Sequence, residues 1–209
     1  PYQLSCSEFR RFLSSYIHDE RSVYSQILNL DSIQKQYLMD LLVENHEPAN
    51  REYLYNFLYD NCSTRVRDII EKSTGNQITW IAQPSTKSFW NLLDEYLGRS
   101  PWIQWGIHTI LGSPATSTAT IHEQMFLPDY LMYRLDSAAY NGTPLVQPIE
   151  TVYEAPEQDL STPWYFSPFF VFAICTLALI LFLQKVKSRR LLKAIAIPFF
   201  IATGVVGCL

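Results

Sequence analysis

Apolar residues in the first half of the chain recur with two different periods. A spacing of three to four residues is typical of a helix with one buried face, whereas strict alternation is typical of a half-buried strand. In chain order these patterns predict a helix over residues 7–18, a strand at Val23–Leu30, a helix from the N-cap Asp31 to just before Pro48, a strand at Tyr53–Tyr59, and a helix from Cys62 to Gly75.

The second half of this domain is predicted to be helical. The same spacing predicts helices at Phe89–Leu97, Trp102–Leu111 and Ile121–Tyr140. Thr120 and Glu123 have the spacing of a capping box at the start of the last one. Helices and strands in this mixture predict an α+β domain over residues 1–140.

A proline-rich segment follows the domain. Residues 141–163 contain four prolines and no long apolar run. This composition predicts a tether, which as a flexible chain would reach about 25–30 Å. A tether of that length would let the domain touch a nearby membrane surface.

The last part of the chain has the pattern of a membrane anchor. From Trp164 to Leu183, 20 residues carry no charge, enough at about 1.5 Å per residue to cross roughly 30 Å of hydrocarbon. We therefore predict a first transmembrane helix over residues 164–184, a basic loop over residues 185–190, and a second transmembrane helix over residues 191–209. An interfacial helix is the alternative for the last segment, although only Lys193 is charged there.

The charges divide the chain at the same place. Residues 1–163 hold 11 of the 16 basic side chains and all 20 acidic ones, so their net charge is −9, whereas the remaining 46 residues have a net charge of +5. Because basic loops remain in the cytoplasm, the predicted topology places residues 1–163 on the opposite side, the periplasm of a Gram-negative cell. The acidic front part argues against nucleic acid as a partner.

Cys62 is the main candidate for chemistry. It lies where the predicted strand changes to a helix, and the unpaired N–H groups at a helix start favour a thiolate. Lowering a thiol pKa from about 8.5 to about 6 takes roughly 3.4 kcal/mol, whereas a helix end contributes about 0.3–1 kcal/mol. A nucleophilic cysteine at this position would therefore need a histidine partner.

Two alternatives for Cys62 remain open at this stage. It would be a structural cysteine if it formed a disulfide with Cys6 or if it were a simple buried thiol. Cys175 and Cys208 lie in the apolar spans. None of the four histidines, His18, His46, His108 and His122, has the context of a catalytic base, and no metal-binding or phosphate-binding motif occurs.

Four segments together resemble a known family. They are RSVYSQILNL (Arg21–Leu30), YNFLYDNCSTRVRDIIEK (Tyr55–Lys72), WGIHTILGSP (Trp105–Pro114) and EQMFLPDYL (Glu123–Leu131). In this order they resemble the Lnb N-terminal periplasmic domain family of bacterial envelope proteins, over roughly residues 2–140. The resemblance implies a permuted papain-like (NlpC/P60-type) fold and, as in Lnb itself, transfer of an acyl chain to a lipoprotein.

The resemblance also implies roles for particular residues. Cys62, in the Asn-Cys-Ser/Thr-x-Arg motif, would be the nucleophile. The family's histidine belongs to a Phe-Gly-His motif that does not occur in these 209 residues. We therefore expect an N-terminally incomplete domain that is inactive by itself.

The implied reaction uses a phospholipid as acyl donor and the N-terminal amine of a lipoprotein as acceptor, at the inner membrane and without a cofactor or metal. Asn61 and Arg65 would support Cys62. Trp102, Trp105 and Phe126 would contact the acyl chain or the membrane, unless they are core residues. The alternatives are a papain-like cysteine peptidase or amidase, and a non-catalytic envelope module that binds a partner.

Overall fold

The computed structural model describes residues 2–81, 85–156 and 162–185, together with residues 197, 198 and 201. The α-helices of these residues are α1 (Phe9–His18), α2 (Ser32–His46), α3 (Cys62–Ser73), α4 (Phe89–Leu97), α5 (Pro101–Leu111), α6 (Ile121–Gln124), α7 (Pro128–Ser137) and α8 (Pro168–Lys185). The strands are β1 (Tyr2–Gln3), β2 (Val23–Ser25), β3 (Glu52–Tyr53), β4 (Ile78–Thr79), β5 (Ala139–Tyr140), β6 (Thr143–Pro144) and β7 (Glu150–Tyr153). Short 3₁₀ helices lie at Ser113–Thr116 and Trp164–Phe166. The predicted α+β class is confirmed.

The chain forms two compact units. The first unit consists of Pro1–Phe89 and Thr118–Gln158, and the second consists of Trp90–Ser117 and Asp159–Leu209. In the first unit all strand pairs of the described residues are antiparallel: β1 with β3, β2 with β7, and β5 between β4 and β6.

The core of the first unit collects apolar side chains from both ends of its sequence. Helix α3 packs against α2 and α7. The buried cluster consists of Leu30, Ile70, Met125, Leu131, Leu135, Ala138, Leu145 and Val146. Burial of a side chain of this size contributes about 1.5–3 kcal/mol. This core holds α3, and therefore its first residue Cys62, in place.

The predicted helices are largely confirmed. Helices α1 to α5 lie where the spacing places them, and Asp31 caps α2 by accepting a hydrogen bond from the N–H of Gln34. The helix predicted at Ile121–Tyr140 is instead two helices, α6 and α7. Leu127 between them has extended φ/ψ angles, because Pro128 sterically disfavours the helical conformation in the residue before it.

The strand predicted at Tyr53–Tyr59 is wrong beyond Tyr53. Asn56 and Asp60 exchange both backbone hydrogen bonds at 2.9 Å and so close a tight turn. The Asn56 side chain accepts from the N–H groups of Leu58 and Tyr59, at 3.1 and 3.2 Å. An Asn side chain that bonds nearby N–H groups in this way favours a turn over an extended strand. The strand predicted at Val23–Leu30 is also shorter, since β2 ends at Ser25.

The tether predicted over residues 141–163 is wrong for its first part. β7 pairs with β2, and β6 pairs with β5. Between β6 and β7, Leu145 and Val146 are buried in the core of the first unit. Burial of these two side chains and the strand pairing outweigh the flexibility that the prolines suggest. Residues 157–161 lie outside the described residues.

Among the described residues of the second unit, one helix, α8, is long and apolar enough to cross a membrane. It begins at Pro168, after the exposed aromatic residues Trp164, Tyr165 and Phe166, and almost none of its surface is buried. Residues 164–184, for which a transmembrane helix is predicted, form a 3₁₀ turn followed by this helix. Two predicted segments lie almost entirely outside the described residues. They are the basic loop over residues 185–190, of which only Lys185 is described, and the second span over residues 191–209, of which only residues 197, 198 and 201 are described.

Candidate active site around Cys62

The start of α3 is fixed by a capping box. Asn61 is extended, and its side-chain oxygen accepts hydrogen bonds from the N–H groups of Ser63 and Thr64, at 2.9 and 3.0 Å. The Thr64 hydroxyl accepts in return from the N–H of Asn61 at 2.8 Å. These bonds satisfy backbone N–H groups that a helix start leaves unpaired. Cys62 is therefore the first residue of the helix.

Asn61 also ties this helix start to two other parts of the first unit. Its amide nitrogen donates to the carbonyl oxygens of Phe57 and Phe126, both at 2.9 Å. The side chain is only 4% exposed, so water does not compete for these bonds. Asn61 thus positions the backbone that carries Cys62.

Phe126 does not lie at a surface. It is 2% exposed and packs edge-on against Phe57 and Phe89, with ring centroids 6.0 and 5.5 Å apart. Phe126 is therefore a core residue. This was the predicted alternative to a contact with an acyl chain or with the membrane. In the described structure it is not available to a ligand.

Cys62 is exposed and its thiol is free, as is that of Cys6. The predicted alternatives of a Cys6–Cys62 disulfide and of a buried thiol are therefore wrong for this structure. Cys62 lines a cavity of about 320 Å³ in the first unit. The other residues that line this cavity, called the Cys62 cavity below, are Gln3, Leu4, Ser5, Leu42, Asn45, Asn50, Arg51, Tyr53, Arg65, Val66 and Ile69.

Arg65 is held at the edge of this cavity by two partners. Its Nε and one terminal nitrogen donate to the two oxygens of Asp60, at 2.5 and 2.7 Å, and its guanidinium lies 4.2 Å from the centre of the Tyr53 ring. The hydrogen bond to Asp60 raises the pKa of Arg65 above its usual value. Arg65 therefore remains a cation near Cys62, although Asp60 balances much of its charge.

Two tyrosines lie in the electrostatic field of Cys62. Loss of water contact raises the pKa of Tyr53 and of Tyr55, and a negative charge on Cys62 raises each of them further. Both hydroxyls consequently stay protonated at neutral pH, where they can donate hydrogen bonds.

No histidine is among the described residues that line the Cys62 cavity. His18 and His46 are exposed at the last turns of α1 and α2. His122 lies 3.2 Å from a carboxylate oxygen of Glu71. His108, in the second unit, stacks on Trp90 and lies 2.8 Å from Asp94, though not aligned for a hydrogen bond.

One cluster of possible metal ligands was not predicted. The donor atoms of Asp68, Glu71 and His122 lie within 4.8 Å of one another. Arg67 donates to Asp68 at 2.7 Å, and the Trp80 indole donates to Glu71 at 2.9 Å. Both carboxylates thus have donors already, which is typical of a polar network that ties α3 to α6. His122 is 51 residues from Glu71, so sequence spacing gave no signal for this group.

Trp102 and Trp105 lie in the second unit, on α5. The Trp102 indole nitrogen donates to the carbonyl oxygen of Phe166 at 2.6 Å. Both tryptophans pack against Phe172 of α8, with ring centroids 5.7 and 5.2 Å apart. Each is therefore placed beside the apolar helix.

Comparison with known proteins gives one family match, over the first part of the chain. No curated protein matches the chain, and no solved structure matches it. Residues 1–94 match the family model described as the Lnb N-terminal periplasmic domain. The matched residues include the segments Arg21–Leu30 and Tyr55–Lys72, and therefore Cys62.

A periplasmic domain family and one helix able to cross a membrane are together consistent with an envelope protein anchored in a membrane. The match supports the resemblance seen in the sequence motifs for the part of the chain that carries Cys62: residues 1–94 match the model of the Lnb N-terminal periplasmic domain family.

Proposed function

We propose that this protein is a membrane-anchored cysteine acyltransferase, with residues 1–163 in the periplasm and α8 in the inner membrane. Its acyl donor is a phospholipid and its acceptor is the N-terminal amine of a bacterial lipoprotein. The observation that carries the proposal is the free, exposed thiol of Cys62 at the first position of α3, on the wall of a cavity, within an Lnb family domain. The permuted papain-like arrangement implied by the resemblance is part of this proposal.

The reaction proceeds in two steps through a thioester. A base takes the thiol proton; the resemblance implies a histidine for this role, and none is among the described residues that line the Cys62 cavity. The Cys62 thiolate attacks the carbonyl carbon of a phospholipid ester, the C–O bond breaks, the acyl group remains on sulfur, and the departing lysophospholipid oxygen takes the proton from the base. The amine of the lipoprotein then attacks the thioester carbonyl, the C–S bond breaks, and the proton that the amine loses returns to the sulfur, which leaves an amide and restores the Cys62 thiol.

The surroundings of Cys62 suit the charge that develops in both steps. Each step passes through a tetrahedral oxyanion, which fixed hydrogen-bond donors stabilise. The protonated hydroxyl of Tyr53 and the cation of Arg65 both line the Cys62 cavity. Arg51 lines it too, and its Nε is buried without a hydrogen-bond partner. We assign these three groups to the oxyanion or to the phosphate of the donor lipid.

A second candidate function uses the same nucleophile with water as acceptor. The described lining of the Cys62 cavity has no Trp or Phe, and it includes the amides of Gln3, Asn45 and Asn50. Side chains that donate and accept hydrogen bonds suit a peptide or amide substrate. This lining is the specific observation in favour of a papain-like peptidase or amidase.

The test is to trap the acyl-enzyme. The protein is isolated from its own membranes after growth with an alkyne-tagged fatty acid, and the peptide that contains Cys62 is analysed by mass spectrometry. We expect an acyl mass on Cys62 that neutral hydroxylamine removes, because hydroxylamine cleaves thioesters. Cys62→Ser should abolish the hydroxylamine-sensitive label, whereas Cys6→Ser, which changes the other exposed thiol of the first unit, should keep it.

The outcomes separate the two candidates. An unmodified Cys62 peptide, or a label equally strong in Cys62→Ser, would contradict the acyltransferase. If Cys62 instead reacts with a peptidyl electrophile such as an acyloxymethyl ketone, while lipid label is absent, the hydrolase takes its place. Failure of both reagents would leave the non-catalytic module as the better description.

A further inference from the structure

Helix α5 of the second unit lies within a long stretch of chain without charge. No Asp, Glu, Lys or Arg occurs between Arg99 and Glu123, an interval that includes all of α5. Charged groups cover most of the surface of a helix in water, because apolar side chains there lose free energy by contact with water. Helix α5 therefore lacks the outer face expected of a helix that lies in water.

The outward face of α5 is apolar. Ile103, Trp105 and Ile110 are 56%, 48% and 77% exposed, and the two isoleucines are seven residues apart, so they lie on the same face. The polar residues Gln104 and His108 point elsewhere, since both lie within reach of Asp94 on α4. Trp105, two residues after Ile103, points to the other side of the helix, where it packs against Phe172 of α8. Exposed isoleucines on one face are typical of a surface that contacts lipid or another protein.

A second apolar side of α5, which carries Trp102 and Trp105, packs against α8. Trp105 and the first turns of α8 border a groove of about 560 Å³, lined by Trp105, Phe169, Phe172, Ala173, Leu177 and Ile180. All of these residues are uncharged. The aromatic residues just before α8, Trp164, Tyr165 and Phe166, are at the position of an interfacial aromatic belt.

From these observations we infer that α5 is an interfacial helix, immersed in the leaflet that α8 enters, with the acyl chains of membrane phospholipids covering Ile103, Trp105, Ile110 and the groove. Interfacial helices typically bury their apolar face about 5–10 Å into the boundary between headgroups and acyl chains. The packing of Trp102 and Trp105 against α8 selects lipid over a partner protein, since it places α5 beside the first turns of a helix suited to the bilayer core. This inference does not depend on whether Cys62 is a nucleophile.

The experiment measures how deeply single nitroxide labels lie in lipid. All native cysteines of the full chain are replaced by Ala, single cysteines are introduced by Ile103→Cys and Ile110→Cys, and the protein is placed in nanodiscs of phosphatidylethanolamine and phosphatidylglycerol. Collision rates with oxygen, which concentrates in lipid, are compared with those of a water-soluble nickel chelate. We expect the oxygen-to-nickel ratio at both positions to be several-fold higher than at Ile33→Cys.

The control positions make the result unambiguous. Ile33 is an isoleucine, 81% exposed, on α2 of the first unit, so Ile33→Cys reports the aqueous value. Leu177→Cys on α8 reports the value inside the bilayer. Ratios at Ile103→Cys and Ile110→Cys equal to that at Ile33→Cys would overturn the inference. Dipolar broadening between labels on different molecules would also overturn it, because a second copy rather than lipid would then cover the face.

Discussion

Asn61 makes two kinds of contact at once, and both depend on an amide side chain. Its oxygen caps α3, and its nitrogen binds two carbonyl oxygens from other parts of the first unit. We expect Asn61→Ala to lower the free energy of unfolding by about 2–4 kcal/mol, the sum of a lost cap and of buried carbonyls left unpaired. Guanidinium unfolding of the full chain in detergent micelles, followed by tryptophan fluorescence, measures this change.

Asp31→Ala is the matched control for Asn61→Ala. Asp31 caps α2 in the same way, with a capping box to Gln34, but its side chain is exposed and makes no other bond that the structure gives. Its loss should cost only about 1 kcal/mol. Equal costs for the two variants would mean that the buried bonds of Asn61 contribute nothing beyond the cap.

These two residues also illustrate which contacts the sequence predicts. The cap at Asp31 and the junction at Cys62 follow from neighbouring residues, because a helix start is a local structure. The bond from Asn61 to Phe126 spans 65 residues, and the one between His122 and Glu71 spans 51. Contacts of that range depend on tertiary packing, which the local patterns of a single sequence do not reveal.

Substitution of Leu145 tests whether the segment between β6 and β7 belongs to the core rather than to a flexible tether. Leu145 is fully buried between β6 and β7. We expect Leu145→Ala to lower the free energy of unfolding by about 2–4 kcal/mol, because it removes core contacts and leaves a cavity. Val152→Ala, on the nearby strand β7 with a side chain 37% exposed, should cost less than half as much. The same guanidinium titration compares both variants. A change in the free energy of unfolding near zero for Leu145→Ala would mean that this segment is a flexible tether.

Helices and strands differed in how well the pattern predicted them. A helix of ten or more residues repeats its apolar spacing several times, so α1, α2 and α3 were recognised. The described strands have two to four residues each, too short for alternation to distinguish them from turns. The alternating residues after Tyr53 form a turn because of one side chain, that of Asn56, which competes with the strand for backbone N–H groups.

The distribution of charge and the position of α8 together suggest how the whole molecule sits in the envelope. The 20 acidic residues all precede α8, and the basic residues Lys185, Lys187, Arg189, Arg190 and Lys193 lie at its far end and beyond. A basic cluster of this kind is retained in the cytoplasm. Cys6, in the first unit, and a cysteine at position 187 should then lie on opposite sides of the inner membrane.

Labelling with a membrane-impermeant maleimide tests this topology. In one variant Cys6 is the only cysteine, and in the other the only cysteine is introduced by Lys187→Cys. On intact spheroplasts, we expect Cys6, whose thiol is free and exposed, to be labelled fully, because the reagent reaches the periplasmic face directly. The cysteine of Lys187→Cys should be labelled only after lysis. The opposite pattern would reverse the orientation and move the Lnb domain to the cytoplasm, whereas labelling of both before lysis would mean that α8 does not cross the membrane.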